Sequence, residues 1–440
     1  MTSITAPVTE QLLDMVTGDE DARLCRDIPE SQCHEQPINI VAQTAAQALS
    51  KTGDALADSK VVLPWLLGAM GAPAYFTGFL VPIRESLALL PQILAGAAIR
   101  HYPVRKGFWA VATVIQGLCI LAMAGAALLG LHGTAAGWAV IALLFAFSLA
   151  RGFGSIASKD VLGKTVSKGR RGRVSGHAAT ASGLAAGAVG VFLMLSPAET
   201  RPDWLLFGLI AAAGGCWLTA AAVYMRVVEF PGATEGGRGI GSLVREQVTL
   251  LMHDPELRRF LTARALMLST ALVSPLYVAL AQAQSGLSLD GLGWLIVATG
   301  LASAVSSSFW GSFADRSSRA TMAISAAIAG ALGVVVLAVL EFAPTAANSI
   351  AFYAGVLFVL GIAHAGVRIG RKTHVVDLAG GEHKAEYVAL SNTVIGVLLL
   401  MTGAFVGFLM GFSIATAIAV LSALALAGAV TAMTMRNVQE

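Results

Sequence analysis

The chain has 440 residues, of which 56% are hydrophobic and only 12% are charged. Soluble domains carry about 25% charged residues, so this composition excludes a water-soluble globular protein and indicates a protein that lies in a membrane. The formal net charge of +3 is too small to indicate a nucleic-acid partner.

Residues 1–38 form a charged N-terminal segment that precedes the first apolar stretch, and we expect it to remain in the cytoplasm. Its two cysteines, Cys25 and Cys33, lie near His34, and thiols and imidazole are zinc ligands. A fourth ligand is missing and the two thiols are far apart along the chain. An acidic cap lying against basic cytoplasmic joints is therefore the favoured interpretation, and we expect neither a metal nor a cofactor.

Apolar segments of about twenty residues, the length that crosses a bilayer as a helix, then alternate with short polar joints. A backbone inside a bilayer must form its own hydrogen bonds, so each segment is predicted to be helical. The expected fold is all-α and integral to the membrane. The twelve predicted helices, called spans 1 to 12, cover 40–69, 74–99, 107–130, 135–158, 174–195, 203–226, 260–284, 291–313, 320–342, 348–369, 386–410 and 412–435.

A polar loop at residues 227–259 divides the twelve spans into two sets of six. The sequence therefore predicts an N-terminal bundle at 39–226 and a C-terminal bundle at 260–440. Gly78 and Gly293 occupy equivalent places in the two halves, 215 residues apart, as do several other glycines. Such an internal duplication is typical of a transporter whose halves rock about a central site.

Basic residues are concentrated in the joints that follow spans 2, 4, 8 and 10, whereas the joints after the odd-numbered spans contain only Arg201. The positive-inside rule places the basic joints, the 227–259 loop and both termini in the cytoplasm. We expect the chain to lie in the cell (inner) membrane and to cross it many times. We also expect it to be a monomer.

Span 1 carries a stripe of polar side chains. Gln43, Gln47, Lys51, Asp54 and Asp58 follow one another at intervals of three or four residues, which places them on one helical face. Ionisable groups at membrane depth are costly and mark functional sites. Asp54 is interpreted either as a proton acceptor or cation contact in a water-filled cavity, or as the ion-pair partner of Lys51. The two glutamines extend the stripe and favour a cavity.

Span 2 contains Arg84 and Glu85 about halfway along. Neighbouring helical residues point about 100° apart, so the two side chains need different partners. We expect Arg84 to line the cavity. Glu85 is interpreted either as a second proton carrier or as one end of a static bridge to Lys51 or Arg151.

Deep basic residues recur in spans 4 and 10. Arg151 and Arg368 lie where a guanidinium group usually binds a carboxylate or a phosphate. Helix-end carbonyls and the joint residues Asp160 and Asp377 are the alternative partners. Arg151 is grouped with the proton-coupling candidates and Arg368 with the substrate cavity.

The second half has no acidic counterparts of Asp54 and Glu85, so proton coupling is expected in the first half. His364, in span 10, either titrates near neutral pH beside a substrate or is a hydrogen-bonded packing residue. Arg371 and Lys372 follow it and are assigned to the cytoplasmic end of the span.

The joint between spans 8 and 9 reads Gly-Ser-Phe-Ala-Asp-Arg-Ser-Ser-Arg from Gly311 to Arg319. It resembles the cytoplasmic joint signature of the major facilitator superfamily, a family of secondary transporters. The resemblance implies that Asp315 caps a neighbouring helix and pairs with arginines, which latches one conformation. The gate residues so implied are Gly311, Asp315, Arg316 and Arg319.

The equivalent joint of the first half keeps Gly96, Arg100 and Lys106 but has no aspartate, so its latch is expected to be built differently. The resemblance extends over residues 40–435. It implies twelve transmembrane helices in two pseudo-symmetric six-helix bundles, with a substrate site between them.

The sequence therefore predicts a secondary active transporter that moves a small polar or charged organic solute by alternating access and is coupled to protons. Its partners are the substrate, protons and the lipid bilayer. Export is slightly favoured; the alternatives are proton-coupled uptake of an organic anion, which the deep arginines fit, and a non-transporting receptor or scaffold. The sequence contains no phosphate-loop motif, so use of ATP is not expected. It also contains no cluster of catalytic residues, so an enzyme is not expected.

Overall fold

The computed structural model describes residues 34–90, 96, 98–99, 101–167, 170–195, 204–232, 234, 240–286, 288–379 and 384–439. Cys25 and Cys33, with the predicted acidic cap or zinc site, lie outside the described residues. The gate residue Arg100 and the joint residue Arg201 lie outside them as well.

Regular structure in the described ranges is helical throughout, which confirms the predicted all-α class. Ten helical segments of the described chain, one of them interrupted by turns, are long and apolar enough to cross a membrane, and they correspond to spans 3 to 12. Spans 1 and 2 consist of shorter described pieces. The single helices of spans 3 to 6 and 8 to 12 are Lys106–Leu128, Gly133–Thr165, Arg171–Leu195, Leu205–Tyr224, Leu289–Arg316, Ser318–Phe342, Ile350–Ala379, Lys384–Met410 and Ile414–Met433.

The smaller helices lie in spans 2 and 7 and in the connections. Span 2 follows a 3₁₀ turn, Ala74–Phe76, and begins as Thr77–Leu89. The loop between the halves contains Ile240–His253, and a short helix, Pro344–Ala347, precedes span 10.

Span 1 is broken, although its sequence predicts one helix. It consists of Gln36–Leu56 and Val62–Ala69, with a turn between them. The Asp58 carboxylate accepts hydrogen bonds from the backbone N–H groups of Lys60 (2.8 Å) and Val61 (3.1 Å), which have no partner within a helix at this point. Pro64 is tolerated because it lies in the first turn of the second helix.

Span 7 is broken at the corresponding place in the second half. Its three helices are Pro255–Leu266, Ser269–Leu272 and Ser274–Ser285. Between the first two, the N–H of Thr270 donates to the carbonyl of Met267 at 3.1 Å, a tight three-residue turn. Both halves therefore place irregular backbone near the middle of their first span.

The two halves repeat the same packing. In the first half, span 3 packs against spans 4 and 6, span 2 against span 4, and span 1 against spans 5 and 6. In the second half, span 9 packs against spans 10 and 12, span 8 against span 10, and span 7 against spans 11 and 12. Each pair recurs six spans later, as an internal duplication requires.

The halves touch each other along spans 2 and 11 and spans 5 and 8. A Cβ atom added at Gly293 of span 8 would lie 2.7 Å from the carbonyl oxygen of Gly190 in span 5, so these backbones are in close contact. Spans 1 and 7 meet at the same end, where Gln282 Nε2 donates to the carbonyl of Trp65 at 3.0 Å. We call this the closed end, and the opposite end, with the Lys- and Arg-rich joints, the basic end.

Spans 5 and 8 separate towards the basic end. Gly183 and Gly300 lie two turns from the close contact on the same helical faces, yet a Cβ atom at either would meet no atom within 4 Å. Lys159, Arg368 and Lys372 are exposed on spans 4 and 10 at this end. The molecule is therefore closed at one end and open at the other.

Candidate functional site

An ionic triad joins three of the predicted site residues in the first half, Asp54, Arg84 and Arg151. Asp54 Oδ1 accepts a hydrogen bond from Arg84 Nη2 at 2.6 Å. Arg151 binds the same carboxylate through both nitrogens, Nη1 to Oδ1 at 2.5 Å and Nη2 to Oδ2 at 2.7 Å. Arg84 also lies over the ring of Phe147, 4.3 Å from its centroid, and its Nη1 is buried without a partner among the described residues. Two cations therefore surround one anion.

The pairing of Asp54 differs from the Lys51–Asp54 pair weighed from the sequence. Lys51 Nζ donates instead to the backbone carbonyl of Ser175 in span 5 at 2.9 Å. Arg84 and Arg151 come from spans 2 and 4, so Asp54 joins three spans of the first half. Bidentate binding by a guanidinium group fixes the carboxylate geometrically as well as electrostatically.

A second polar chain crosses from the first half to the second. Glu85 Oε1 lies 3.5 Å from Lys60 Nζ, and Lys60 Nζ lies 3.1 Å from His364 Nε2. The other ring nitrogen of His364 lies 3.2 Å from Thr270 Oγ1. Glu85 is therefore bridged to Lys60, and not to Lys51 or Arg151, and His364 is hydrogen-bonded on both sides.

A small void adjoins this chain, with room of about 10 Å³, close to what one water molecule needs. Irregular backbone within the membrane is tolerated where it lines such a site, and the tight turn of span 7 does so here. The residues that line the void are Glu85, Arg264, Met267, Leu268, Thr270, Ala271, Met322, His364, Val367 and Arg371.

Two residues of the site, Lys60 and Arg264, were missed by the sequence analysis. Lys60 lies in the turn that breaks span 1, so helical spacing gave no reason to place it beside Glu85. Arg264 lies one turn into span 7, where its guanidinium group donates to Ser391 Oγ and to Asn392 Oδ1 (3.1 Å) in span 11. The proline four residues after Lys60 was the available signal of a break.

Four other positions considered in the sequence lie outside the triad. Gln43 is buried away from the triad, and its Nε2 donates to Thr165 Oγ1 at 2.7 Å. Gln47 is partly exposed and Arg368 is exposed, on the same face of span 10 as His364. Arg371, assigned from the sequence to the end of its span, lines the void instead.

The gate residues of the second half are not engaged in this conformation. Asp315 and Arg316 are exposed, and within the described ranges neither has an ion-pair partner. Arg319 Nη1 donates to the carbonyl of Met435 at 3.0 Å, which ties the joint to the end of span 12. Gly311 faces open space. An open basic end is consistent with a released latch.

The first half has an ionic cluster at its equivalent joint. Asp160 binds Arg105 at 2.5 Å and Lys164 at 2.8 Å, and Lys164 also lies 3.2 Å from Glu229. The Glu229 carboxylate accepts from the backbone N–H groups of Arg105 and Lys106 at the start of span 3. Acidic groups from span 4 and from the end of span 6 therefore pair with the basic residues of this joint, which has no aspartate of its own. Gly96, the glycine of the same joint, lies in span 2.

Comparison with known proteins supports the resemblance found in the sequence. The family model described as Major Facilitator Superfamily matches residues 259–439. A mutant of the nucleoside transporter NupG has the same fold, with a TM-score of 0.68, 12% identity, and coverage of 90% of this chain and 99% of that one. The family model thus matches the second half of the chain, and the fold agrees with that of a known transporter over most of its length.

Two further solved transporters have similar structures. A POT family transporter in complex with a thioalcohol-conjugated peptide has a TM-score of 0.66 at 11% identity. The alignment covers 89% of this chain and 94% of the POT family transporter. A D-xylose-proton symporter has a TM-score of 0.63 at 12% identity, and the alignment covers 92% of this chain and 98% of the symporter. No curated protein sequence matches the chain.

The match of the family model and the shared fold support the predicted resemblance to the major facilitator superfamily and point to a multi-pass membrane transporter. The solved transporters named above are described by a nucleoside, a peptide and a sugar, so the shared fold does not specify the substrate. The substrate must be inferred from the side chains of this chain's own site.

Proposed function

We propose that the protein is a proton-coupled secondary transporter of small organic anions. The supporting observation is the excess of basic groups around the breaks in spans 1 and 7. Charges at membrane depth are retained where they bind partners or line a path for solutes. Five basic side chains lie there, whereas three carboxylates face them in the described part of the chain. The basic side chains are Lys60, Arg84, Arg151, Arg264 and Arg371, and the carboxylates are Asp54, Asp58 and Glu85.

Alternating access is supported by the shape of the interface between the halves. Close glycine contacts hold spans 5 and 8 together at the closed end, and the same faces separate at the basic end. In the proposed orientation, the basic joints and both termini face the cytoplasm of a cell with the protein in its inner membrane, as the positive-inside rule requires. This conformation then opens to the cytoplasm.

Proton coupling is assigned to the first half, with Glu85 as the exchanging group. The Glu85 side chain is 36% exposed and has one ionic contact, at 3.5 Å, whereas the Asp54 side chain is 20% exposed and has three contacts of 2.5–2.7 Å. A loosely held carboxylate gains and loses a proton more readily than one fixed by two guanidinium groups. Asp54 then holds Arg84 and Arg151 in place.

The test is uptake into proteoliposomes of matched solutes that differ only in charge. Lactate and succinate, each paired with its neutral amide, are supplied under an imposed pH gradient. We expect the carboxylates to accumulate and the amides to remain at background. Equal transport of both members of a pair would contradict the anion assignment. The sign of the accumulation reports whether anion and proton move together, which gives uptake, or in opposite directions, which gives export.

A further inference from the structure

Glu85 occupies the place of an anion within a set of cations. It is the one acidic side chain among the described residues that line the void, and Arg264, His364 and Arg371 line it as well. Its carboxylate contacts Lys60 at 3.5 Å, longer than the contacts made within the Asp54 triad. The void is therefore already shaped around a carboxylate that is weakly held.

The basic groups of this void have unused capacity for binding an anion. Arg264 donates only to the neutral side chains of Ser391 and Asn392, and its Nε is buried with no partner in the described part of the chain. Arg371 has no ion pair or hydrogen bond there. A buried donor without an acceptor costs free energy that a ligand oxyanion recovers.

The same groups belong to different halves of the protein. Lys60 and Glu85 lie in spans 1 and 2, whereas Arg264, His364 and Arg371 lie in spans 7 and 10. The contact between Lys60 and His364, at 3.1 Å, crosses the interface. An anion bound in this void would therefore be held by both halves at once, as alternating access requires of a substrate.

We propose that this void is the subsite for the carboxylate of the substrate and that Glu85 is a built-in competitor for it. In the empty carrier, Glu85 contacts Lys60 and provides the negative charge nearest to Arg264 and Arg371 in the lining of the void. When the substrate carboxylate binds Lys60, Arg264 and Arg371, Glu85 is displaced and takes up a proton from the open side. No bond of the substrate changes, and one anion enters for each proton gained. This inference rests on the proposed function and names its subsite.

The test is carboxylate binding by the purified carrier across a range of pH. Lactate and succinate serve as probes, with inorganic phosphate as a further anion, and proton uptake is followed by calorimetry in buffers of different ionisation enthalpy. In the wild type we expect carboxylate binding to strengthen as pH falls, with about one proton taken up per anion, as one competing carboxylate requires. Phosphate, which is tetrahedral and larger, is expected to bind more weakly.

Two variants separate the competitor from its cations. Glu85→Gln keeps the size of the side chain and removes its charge, so carboxylate should bind about tenfold more tightly at pH 8 if Glu85 fills the void most of the time. Its binding should lose the pH dependence and the proton uptake. Arg371→Gln should lose carboxylate binding, whereas the adjacent Lys372→Gln, at an exposed position, should bind like the wild type.

The outcomes distinguish the two proposals. If the wild type transports carboxylates with protons but Glu85→Gln keeps the pH dependence, the subsite inference is overturned and the transport proposal stands. Wild-type affinity in Arg371→Gln would overturn it in the same way. If the wild type neither binds nor transports any carboxylate, the proposed function itself fails.

Discussion

At the scale of single residues, Asp54 is the centre of charge balance in the first half. Its carboxylate accepts three hydrogen bonds from Arg84 and Arg151, and both arginines would lose their counter-ion without it. Removing one partner of a partly buried ion pair leaves an uncompensated charge. This costs more free energy than replacing the whole pair by apolar residues. The triad is therefore as important for folding as for transport.

Asp54→Asn should lower the free energy of unfolding by about 3 kcal/mol and reduce transport to background. The measurement is thermal unfolding in detergent, together with uptake into proteoliposomes. Glu341→Gln is the matched control because Glu341 is exposed and has no ion pair in the described ranges. An Asp54→Asn protein with wild-type stability would show that the triad does not hold the first half together.

The sequence identified most of the site's residue types but not their partners. Helical spacing placed Lys51 and Asp54 one turn apart, yet Asp54 binds Arg151, which lies 97 residues away along the chain. Periodicity defines which face of a helix a residue occupies, whereas tertiary packing decides what that face meets. Lys60 was missed for a related reason: a residue in a helix break has no helical face from which to infer a neighbour.

At the scale of elements, the break in span 1 positions Lys60 between Glu85 and His364. Hydropathy cannot reveal such a break because both pieces are apolar. Pro64 was the available signal, but a proline by itself does not distinguish a kinked helix from the start of a new one. The ends of spans 4 and 10 show the opposite limitation. Their helices continue to Thr165 and Ala379, beyond the predicted ends at 158 and 369, because polar residues continue a helix once it leaves the bilayer.

Asp58→Ala should destabilise the protein by about 1 kcal/mol, the usual effect of removing a side chain that accepts from free backbone N–H groups. It should also reduce transport, because the position of Lys60 depends on this turn. Asp58→Asn keeps an acceptor oxygen and should be close to the wild type in thermal unfolding. Equal losses in the two variants would mean that the charge of Asp58, and not its hydrogen bonds, is what matters.

Gly293→Val should prevent closure at the closed end. Its Cβ would lie 2.7 Å from the carbonyl oxygen of Gly190 and 2.9 Å from Leu193 Cβ, so spans 5 and 8 would have to separate. We expect normal insertion in the membrane but loss of transport. Gly125→Val is the control, since a Cβ there meets no atom within 4 Å. Full transport by Gly293→Val would contradict the role given to this contact.

At the scale of the whole molecule, the repeated packing of the two halves and the fold shared with known transporters support the proposal of alternating access. The pseudo-symmetric layout was predictable from the equivalent glycines and from twelve apolar segments. The conformation seen here was not predictable, because the sequence of a protein with two conformations must encode the contacts of both. The exposed residues Asp315 and Arg316 illustrate this, since the partners implied for them by the resemblance would be met only in a state closed at the basic end.

Spin labels at Lys159→Cys and Lys372→Cys should report the opening of the basic end. Both positions are exposed there, on spans 4 and 10. Electron–electron resonance should show one broad distance in the empty carrier and a shorter population when a transported carboxylate is added. Labels at Leu129→Cys and Lys159→Cys, both exposed and both in the first half, provide a reference distance that should not change. A single unchanging distance between spans 4 and 10 would contradict rocking of the halves.

The most direct measurement is the pH inside proteoliposomes while a carboxylate gradient drives flux in the absence of any imposed pH gradient. Wild-type carrier should move protons in step with the anion, at about one proton per carboxylate, as a single exchanging carboxylate requires. Glu85→Gln should move the anion without the proton. Carboxylate flux that leaves the internal pH unchanged in the wild type would contradict proton coupling through the central site.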